Sequence, residues 1–241
     1  MKVRVRYSKV GKVRFVGNLD VTRIWERALR KSAIAVAYST GFSPRPRLSF
    51  GLALPMAAES TAEYLDIELA ADIELDQLAE RLTEAMPTGF DVLVVTEKRA
   101  GQVSLQEDVV ACDWQIELAG ISVDAAVRAV EATLAADALP LERERKGERS
   151  TDDVRGDIEY LEVLGPVESI SGVALAARLA TVGRALRPAE LVSVVFPEAG
   201  DPVDVVRRLV RTEQWIERDG ARRELLPLPA AVAVPAGTVG A

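Results

Sequence analysis

Histidine is absent from the 241 residues, and cysteine occurs once, at Cys112. These two absences exclude Ser-His-Asp and Cys-His catalysis, zinc sites of the usual ligand types and any internal disulfide. An iron–sulfur cluster held by the chain's own thiolates is excluded too, because it needs about three or four cysteines. No Gly-rich phosphate loop of the Walker or Rossmann form is present. No run approaches the roughly 20 apolar residues of a membrane span. The first residues, Met1-Lys2-Val3-Arg4-Val5-Arg6, alternate in polarity and do not read as a signal peptide. These absences predict a soluble, cytoplasmic protein with no membrane contact. They lean against an enzyme, and no catalytic residue, metal ligand or cofactor is assigned.

What is present is an uneven charge. The net charge is −7, yet residues 1–50 hold 12 Lys and Arg against only Asp20 and Glu26. Residues 51–112 reverse this, with Arg81, Lys98 and Arg99 against 13 acids. A basic segment in an acidic chain is a candidate surface for nucleic acid, phosphate or an acidic protein. Pairing with the chain's own acidic segment is the other outcome.

Within the basic segment, residues 2–7 alternate as a half-buried strand, and residues 12–16 resume the alternation after a turn. Asp20 is placed to cap a helix over about residues 21–32. Val21, Ile24, Trp25, Ala28 and Leu29 share one face of it, and Arg23, Arg27, Arg30 and Lys31 share another. Like charges at this spacing repel mildly, so something should offset them. In Gly41-Phe42-Ser43-Pro44-Arg45-Pro46-Arg47, two prolines stiffen a segment that presents Arg45 and Arg47. The candidate anion- or RNA-binding residues are Lys9, Arg14, Arg23, Arg27, Arg30, Arg45 and Arg47.

Further along, an extended piece at 34–38, strands at 47–54, 63–69 and 90–95 and a helix at 74–86 complete a strand–helix–strand–strand–helix–strand order. Residues 98–111 lack a period and read as a linker. The order then recurs, with strands at 114–118, 139–145, 173–182 and 206–216 and a helix at 123–136 carrying Val123, Val127, Val130 and Leu134. Residues 146–157 read as a loop, 158–164 as a short helix and 189–195 as another. The fold expected is α+β: two tandem ferredoxin-like (split βαβ) domains with antiparallel sheets, at 1–98 and 113–224. A linker at 99–112 joins them, and a disordered tail covers 225–241.

The residues Tyr7, Ser8, Lys9 and Gly11, then Gly17 and Asp20, then Gly41, Phe42, Pro44 and Pro46 carry a resemblance. With Glu63-Tyr64-Leu65-Asp66-Ile67-Glu68, they make the chain similar to the radical-SAM-linked (radical-SAM-associated) proteins. These are bacterial proteins built on a domain of unknown function encoded beside, or fused to, a radical SAM protein. The resemblance implies a partnership with such a protein rather than an activity. Family members often have His where this chain has Asn18, so no role of that histidine carries over. The architecture is also similar to that of the repeat-processing endoribonucleases of CRISPR systems. The expected function is a non-catalytic accessory protein that docks on a radical SAM enzyme and presents structured RNA through residues 1–50. The alternative is a metal-independent RNA-processing enzyme using Tyr7, Lys9, Tyr38 or Arg45.

Overall fold

The structure is a computed structural model that describes residues 1–99, 101–145 and 147–228. The part of the expected tail from residue 229 onward lies outside the described residues. The chain divides into two compact units: Met1–Val109 with the stretch from Ile216 onward, and Val110–Trp215.

The first unit runs β1 (Lys2–Lys9), α1 (Asn18–Lys31), β2 (Leu48–Phe50), β3 (Glu59–Glu68), α2 (Leu75–Ala85), β4 (Val92–Glu97) and α3 (Leu105–Asp108). Its strands lie in the order β4-β1-β3, with β2 also on β3. All three pairings are antiparallel. This is the order of a split β-α-β unit. The core joins Val3, Val5 and Tyr7 of β1 to Val21, Trp25 and Leu29 of α1, Leu65 and Ile67 of β3, and Leu78 and Leu82 of α2. The Tyr7 ring meets Trp25 edge-on, with centroids 5.0 Å apart, and stacks near Phe90 at 6.3 Å. Gly89 closes the same corner at φ +95°, where a Cβ would come within 2.6 Å of the Val10 carbonyl oxygen.

Four local readings change here. The alternation in β1 suggests one wet face, but every residue of β1 from Val3 to Lys9 is buried. Residues 11–15 form a 3-10 turn instead of a strand, anchored by the buried Glu59 carboxylate, which accepts from the Gly11 N–H at 3.0 Å. The cap of α1 is Gly17, and Asp20 lies in the first turn, paired with Arg23 at 2.9 Å. An acid there complements the helix dipole, which explains its presence without a capping role. The strand expected over 47–54 is only Leu48–Phe50; beyond it the Gly51 N–H donates to the Tyr64 carbonyl and the chain turns away.

The second unit runs β5 (Val109–Ala119), α4 (Val123–Ala135), β6 (Pro140–Arg145), β7 (Glu148–Asp153), β8 (Ile158–Val167), β9 (Gly172–Ala180), α5 (Pro188–Val195), α6 (Pro202–Val205) and β10 (Val206–Arg218), the last crossing the boundary at Trp215. The order β10-β5-β9-β8 is the same split arrangement, and β6 and β7 form a separate antiparallel hairpin inserted before β8. Pairings β5–β9 and β8–β9 are antiparallel. After β10, the short strand β11 (Ala221–Glu224) pairs back onto it.

Three readings are corrected in this unit. Residues 158–164 are strand, not helix: register shifts between Ile158 and Tyr160 and between Val163 and Gly165 interrupt the period of two that would have marked it. Residues 148–153, expected as loop, are the second arm of the hairpin. The buried face of α4 is Ala126, Val130 and Thr133, while Val127 and Leu134 are exposed. Small residues let the helix approach closely, so the largest apolar side chains do not mark the core side. Both units are α+β with antiparallel pairing, as the alternation predicts. Among the described residues, no helix is long and apolar enough to cross a membrane.

Candidate functional site

The basic residues of the first 50 do not gather into one surface. Arg4 is buried and donates twice to Asp66, at 2.7 and 3.0 Å, and Lys98 reaches the same carboxylate at 2.6 Å. Arg6 is buried and donates to the carbonyls of Thr61 and Leu226. Lys9 is buried, with its Nζ 3.3 Å from the Arg14 carbonyl. Arg14 pairs with Glu59, and Arg47 with Glu68, both at 3.4 Å. The Arg47 and Lys2 side chains, outweighing desolvation, hold the Glu68 carboxyl below its ordinary range.

What remains outward is narrower. Arg23, Arg27 and Arg30 are exposed along α1, and Arg45 is exposed on the loop after it. Arg27, Arg30 and Arg45 make no side-chain ion pair or hydrogen bond with the described residues. The loop is well braced. Tyr38 bridges Pro46, the Ser39 N–H donates to the Arg45 carbonyl at 2.8 Å, and the Arg45 N–H donates to the Ser39 hydroxyl at 3.0 Å. Gly41 turns at φ +136° beside the tip, where the Phe42 ring stands fully in solvent. Pro44 is exposed and Pro46 half-buried. The motif residues therefore split into two groups. Gly41, Phe42, Pro44 and Pro46 build this loop. Tyr7, Ser8, Gly11 and Gly17 build the end of β1 and the entry to α1, where the Ser8 hydroxyl lies 3.2 Å from an Asp91 carboxylate oxygen.

That second group borders a cavity of about 220 Å³ lined by Tyr7, Lys9, Asn18, Thr22, Glu63 and Tyr64, together with residues 50–54 and Gln106. Glu63 and Lys9, which both line it, are buried. Near the mouth the chain leaves apolar groups in water: Leu19, beside Asn18, is 78% exposed, and Met56, near Gly17, is 66% exposed. A second cavity in the same unit, about 510 Å³, is lined by Arg4, Arg99, Asp108 and Arg218 among others. Two of its three arginines are committed, Arg4 to Asp66 and Arg218 to both oxygens of Asp108, while Arg99 is engaged only through its backbone among the described residues. Among the described residues no cluster of His, Cys, Asp and Glu has the make-up of a metal site.

Sequence reasoning reached Tyr7, Lys9 and Asn18 of the smaller cavity; it met Glu63 and Tyr64 only as part of the resemblance, with no site role, and missed Gln106. Glu63 begins a clean alternation whose polar face reads as solvent. Periodicity tells which residues share a face and not whether that face is wet. Gln106 lay in the stretch taken for a linker; its side-chain amide donates to the Phe50 carbonyl at 3.4 Å.

No curated protein is similar enough to match the chain. Among solved structures it is similar to a chain of the crystal structure of a Cbf5-Nop10-Gar1 complex, with a TM-score of 0.50 and 10% identity over 88% of this chain. It spans about half of that chain, 48%, and the likeness is one of fold. The family described as an uncharacterized protein conserved in bacteria (DUF2344) matches residues 2–188, and the chain belongs to it.

Proposed function

We propose that this is a non-catalytic accessory protein that works with a radical SAM protein, docking on it and presenting a structured RNA. The observation that carries the RNA half is the braced loop 38–46 with its neighbour α1. Arg27, Arg30 and Arg45 stand in solvent without an acidic partner among the described residues, and the Phe42 ring is fully exposed three residues from Arg45. Cations placed to meet phosphates, beside an aromatic face on which a base stacks, are the parts of a single-strand RNA contact. The loop is held by backbone bonds, so little order is lost on binding. The radical SAM partnership rests on the motif resemblance and on the shortage of cysteine, which leaves cluster chemistry to another chain.

An RNA-processing enzyme has less support. Of the four residues such a reading relies on, Tyr7 and Lys9 line the cavity, whereas Tyr38 and Arg45 belong to the loop.

The test is RNA binding as a function of salt. Structured RNA should bind more tightly than the roughly 10⁻⁴–10⁻⁶ M typical of non-specific contacts at physiological salt. Arg27→Ala, Arg30→Ala and Arg45→Ala should each flatten the log–log salt slope by about 0.7 to 0.9. Binding no better than non-specific, or slopes unmoved by all three changes, would sink the RNA half. Failure of the folded protein to co-purify with its radical SAM partner would sink the other half.

A further inference from the structure

The larger cavity of the first unit has no part in that reading, and its charge is lopsided. Its lining sets three guanidiniums, those of Arg4, Arg99 and Arg218, against one carboxylate, that of Asp108, an excess of two positive charges. Asp66, which holds Arg4, does not cancel the excess, because Lys98 reaches the same carboxylate at 2.6 Å. Asp108 is already met by Arg218 on both of its oxygens. The two remaining arginines have N–H groups to spare. Arg4 is 3% exposed and spends Nε and Nη2 on Asp66, while its Nη1 donates to no described residue. A charged donor buried without an acceptor is costly, so an idle one beside a cavity points to a missing acceptor. Arg99 is exposed, and its side chain makes no hydrogen bond or ion pair among the described residues; its backbone N–H donates to the Gln102 side-chain oxygen at 3.1 Å. Val103, Ile216 and Leu225 add apolar wall, and no lining residue is aromatic. At about 510 Å³ the cavity falls within the roughly 300–1,000 Å³ of small-molecule pockets, which is more room than a bare ion needs.

We propose that this cavity binds a phosphate monoester in its dianionic form, with the phosphate on Arg4 and Arg99 and the ester's carbon chain against Val103, Ile216 and Leu225. Two negative charges match the excess of two. Guanidinium forks donate in pairs to phosphate oxygens, which gives the pairing its geometry as well as its strength. A sulfate ester has nearly the same shape with one charge, so it leaves half of the excess unmet. Inorganic phosphate has the charge but leaves the apolar wall in water. The inference stands apart from the RNA reading and uses none of its arginines. The same chemistry is carried by a small phosphate ester and by the phosphorylated end of an RNA chain.

The experiment is a calorimetric titration of the full chain with n-butyl phosphate, n-butyl sulfate and inorganic phosphate. Butyl phosphate should saturate, with the other two at least about tenfold weaker, a difference of about 1.4 kcal/mol. Its affinity should fall as the pH drops through about 6, where a phosphate monoester takes up its second proton. Arg99→Ala should weaken it by about tenfold or more. Arg4→Met should abolish binding, but it leaves the buried Asp66 with Lys98 alone and risks misfolding. Val103→Glu, at a half-exposed position of the lining, is therefore the second probe; it should abolish binding with the fold intact. Arg27→Ala and Arg45→Ala should leave butyl phosphate binding unchanged. No saturable binding, equal binding of the sulfate and phosphate esters, or affinity unmoved by both Arg99→Ala and Val103→Glu would overturn the site. Displacement of butyl phosphate by 5′-phosphorylated RNA and not by 5′-hydroxyl RNA would assign the site to an RNA end; displacement by neither would assign it to a small phosphate ester.

Discussion

The two units share one strand order but treat the same connection in opposite ways. In each, a long segment joins the first helix to the second strand of the order: residues 32–47 in the first unit and 136–157 in the second. In the second unit this segment becomes the β6–β7 hairpin, and Arg143 fastens it. Its guanidinium, 5% exposed, pairs with Asp152 at 3.1 Å and with Glu190 of α5 at 2.8 Å, and it donates to the carbonyls of Arg184 and Ala185. In the first unit the segment is tied at its ends to β3, by Val36 beside Leu69 and by Arg47 on Glu68, and it holds the Arg45 and Phe42 side chains away from any partner among the described residues. An arginine with four acceptors is structural. An arginine on a stiff loop with none is available to a ligand. The same topology yields a closed connection in one unit and an open one in the other, and the open one bears the motif residues Gly41 to Pro46.

The comparison is tested most severely where the first unit does bury charge. Asp66 serves both Arg4 and Lys98, and Arg4 is 3% exposed. Asp66→Asn leaves the Arg4 cation buried without its anion, so stability should fall by about 3–5 kcal/mol in urea unfolding. Replacing Arg4 and Asp66 together by apolar residues of similar size should restore most of that loss. A small effect of Asp66→Asn would show that the ion pair is hydrated and that the first unit lacks a closed ionic centre.

Arg143→Met comes next, at about 3 kcal/mol, because Asp152 and Glu190 are part-exposed and regain water when the cation is removed. Amide exchange should speed up in β6 and β7 and stay unchanged in β1 and β3. By contrast, Phe42→Ser should change stability by less than about 0.5 kcal/mol, since the ring buries nothing. RNA affinity should nevertheless drop by about 1 kcal/mol or more through lost stacking. A destabilising Phe42→Ser would mean that the loop is packed after all, and the contrast between the connections would collapse.

Much of this was legible in the residues. Apolar spacing located α1 and α2, and the alternation of apolar and polar residues located β1, β3 and β5, although only β5 alternates in burial. The prolines and glycine at 41–46 marked the stiff loop. Of the hairpin only the first arm was legible, as the strand at 139–145: Glu148, Arg149, Asp152 and Asp153 give the second arm the composition of a loop, and it is held by Arg143 and Arg184 reaching from a distance. Nor was the cavity, whose walls come from five separate stretches and whose charges lie on strands that read as half-wet. The fate of each arginine was invisible too. Burial of Arg4 and exposure of Arg45 depend on whether Asp66 or nothing stands opposite, which no local pattern records.

The smallest expected effect concerns acid. At the base of the closed connection, Asp153 accepts the Leu139 N–H at 2.8 Å and the Arg155 N–H at 3.0 Å. These backbone bonds, led by that from Leu139, hold the Asp153 carboxyl below its ordinary range. A carboxyl whose folded value is depressed adds stability above its unfolded value, about 3.9, and loses it as the pH falls through the folded value. The hairpin should therefore loosen below about pH 4, read as faster exchange of the Leu139 and Arg155 amides, while the open loop 38–46 shows no such dependence. Asp153→Asn keeps an acceptor oxygen and removes the titration, so its amide protection should be lower at neutral pH and flat through the acid range. Protection that falls equally in wild type and in Asp153→Asn would assign the acid response to the Asp152–Arg143–Glu190 cluster, and the anchor of the hairpin would then be that cluster alone.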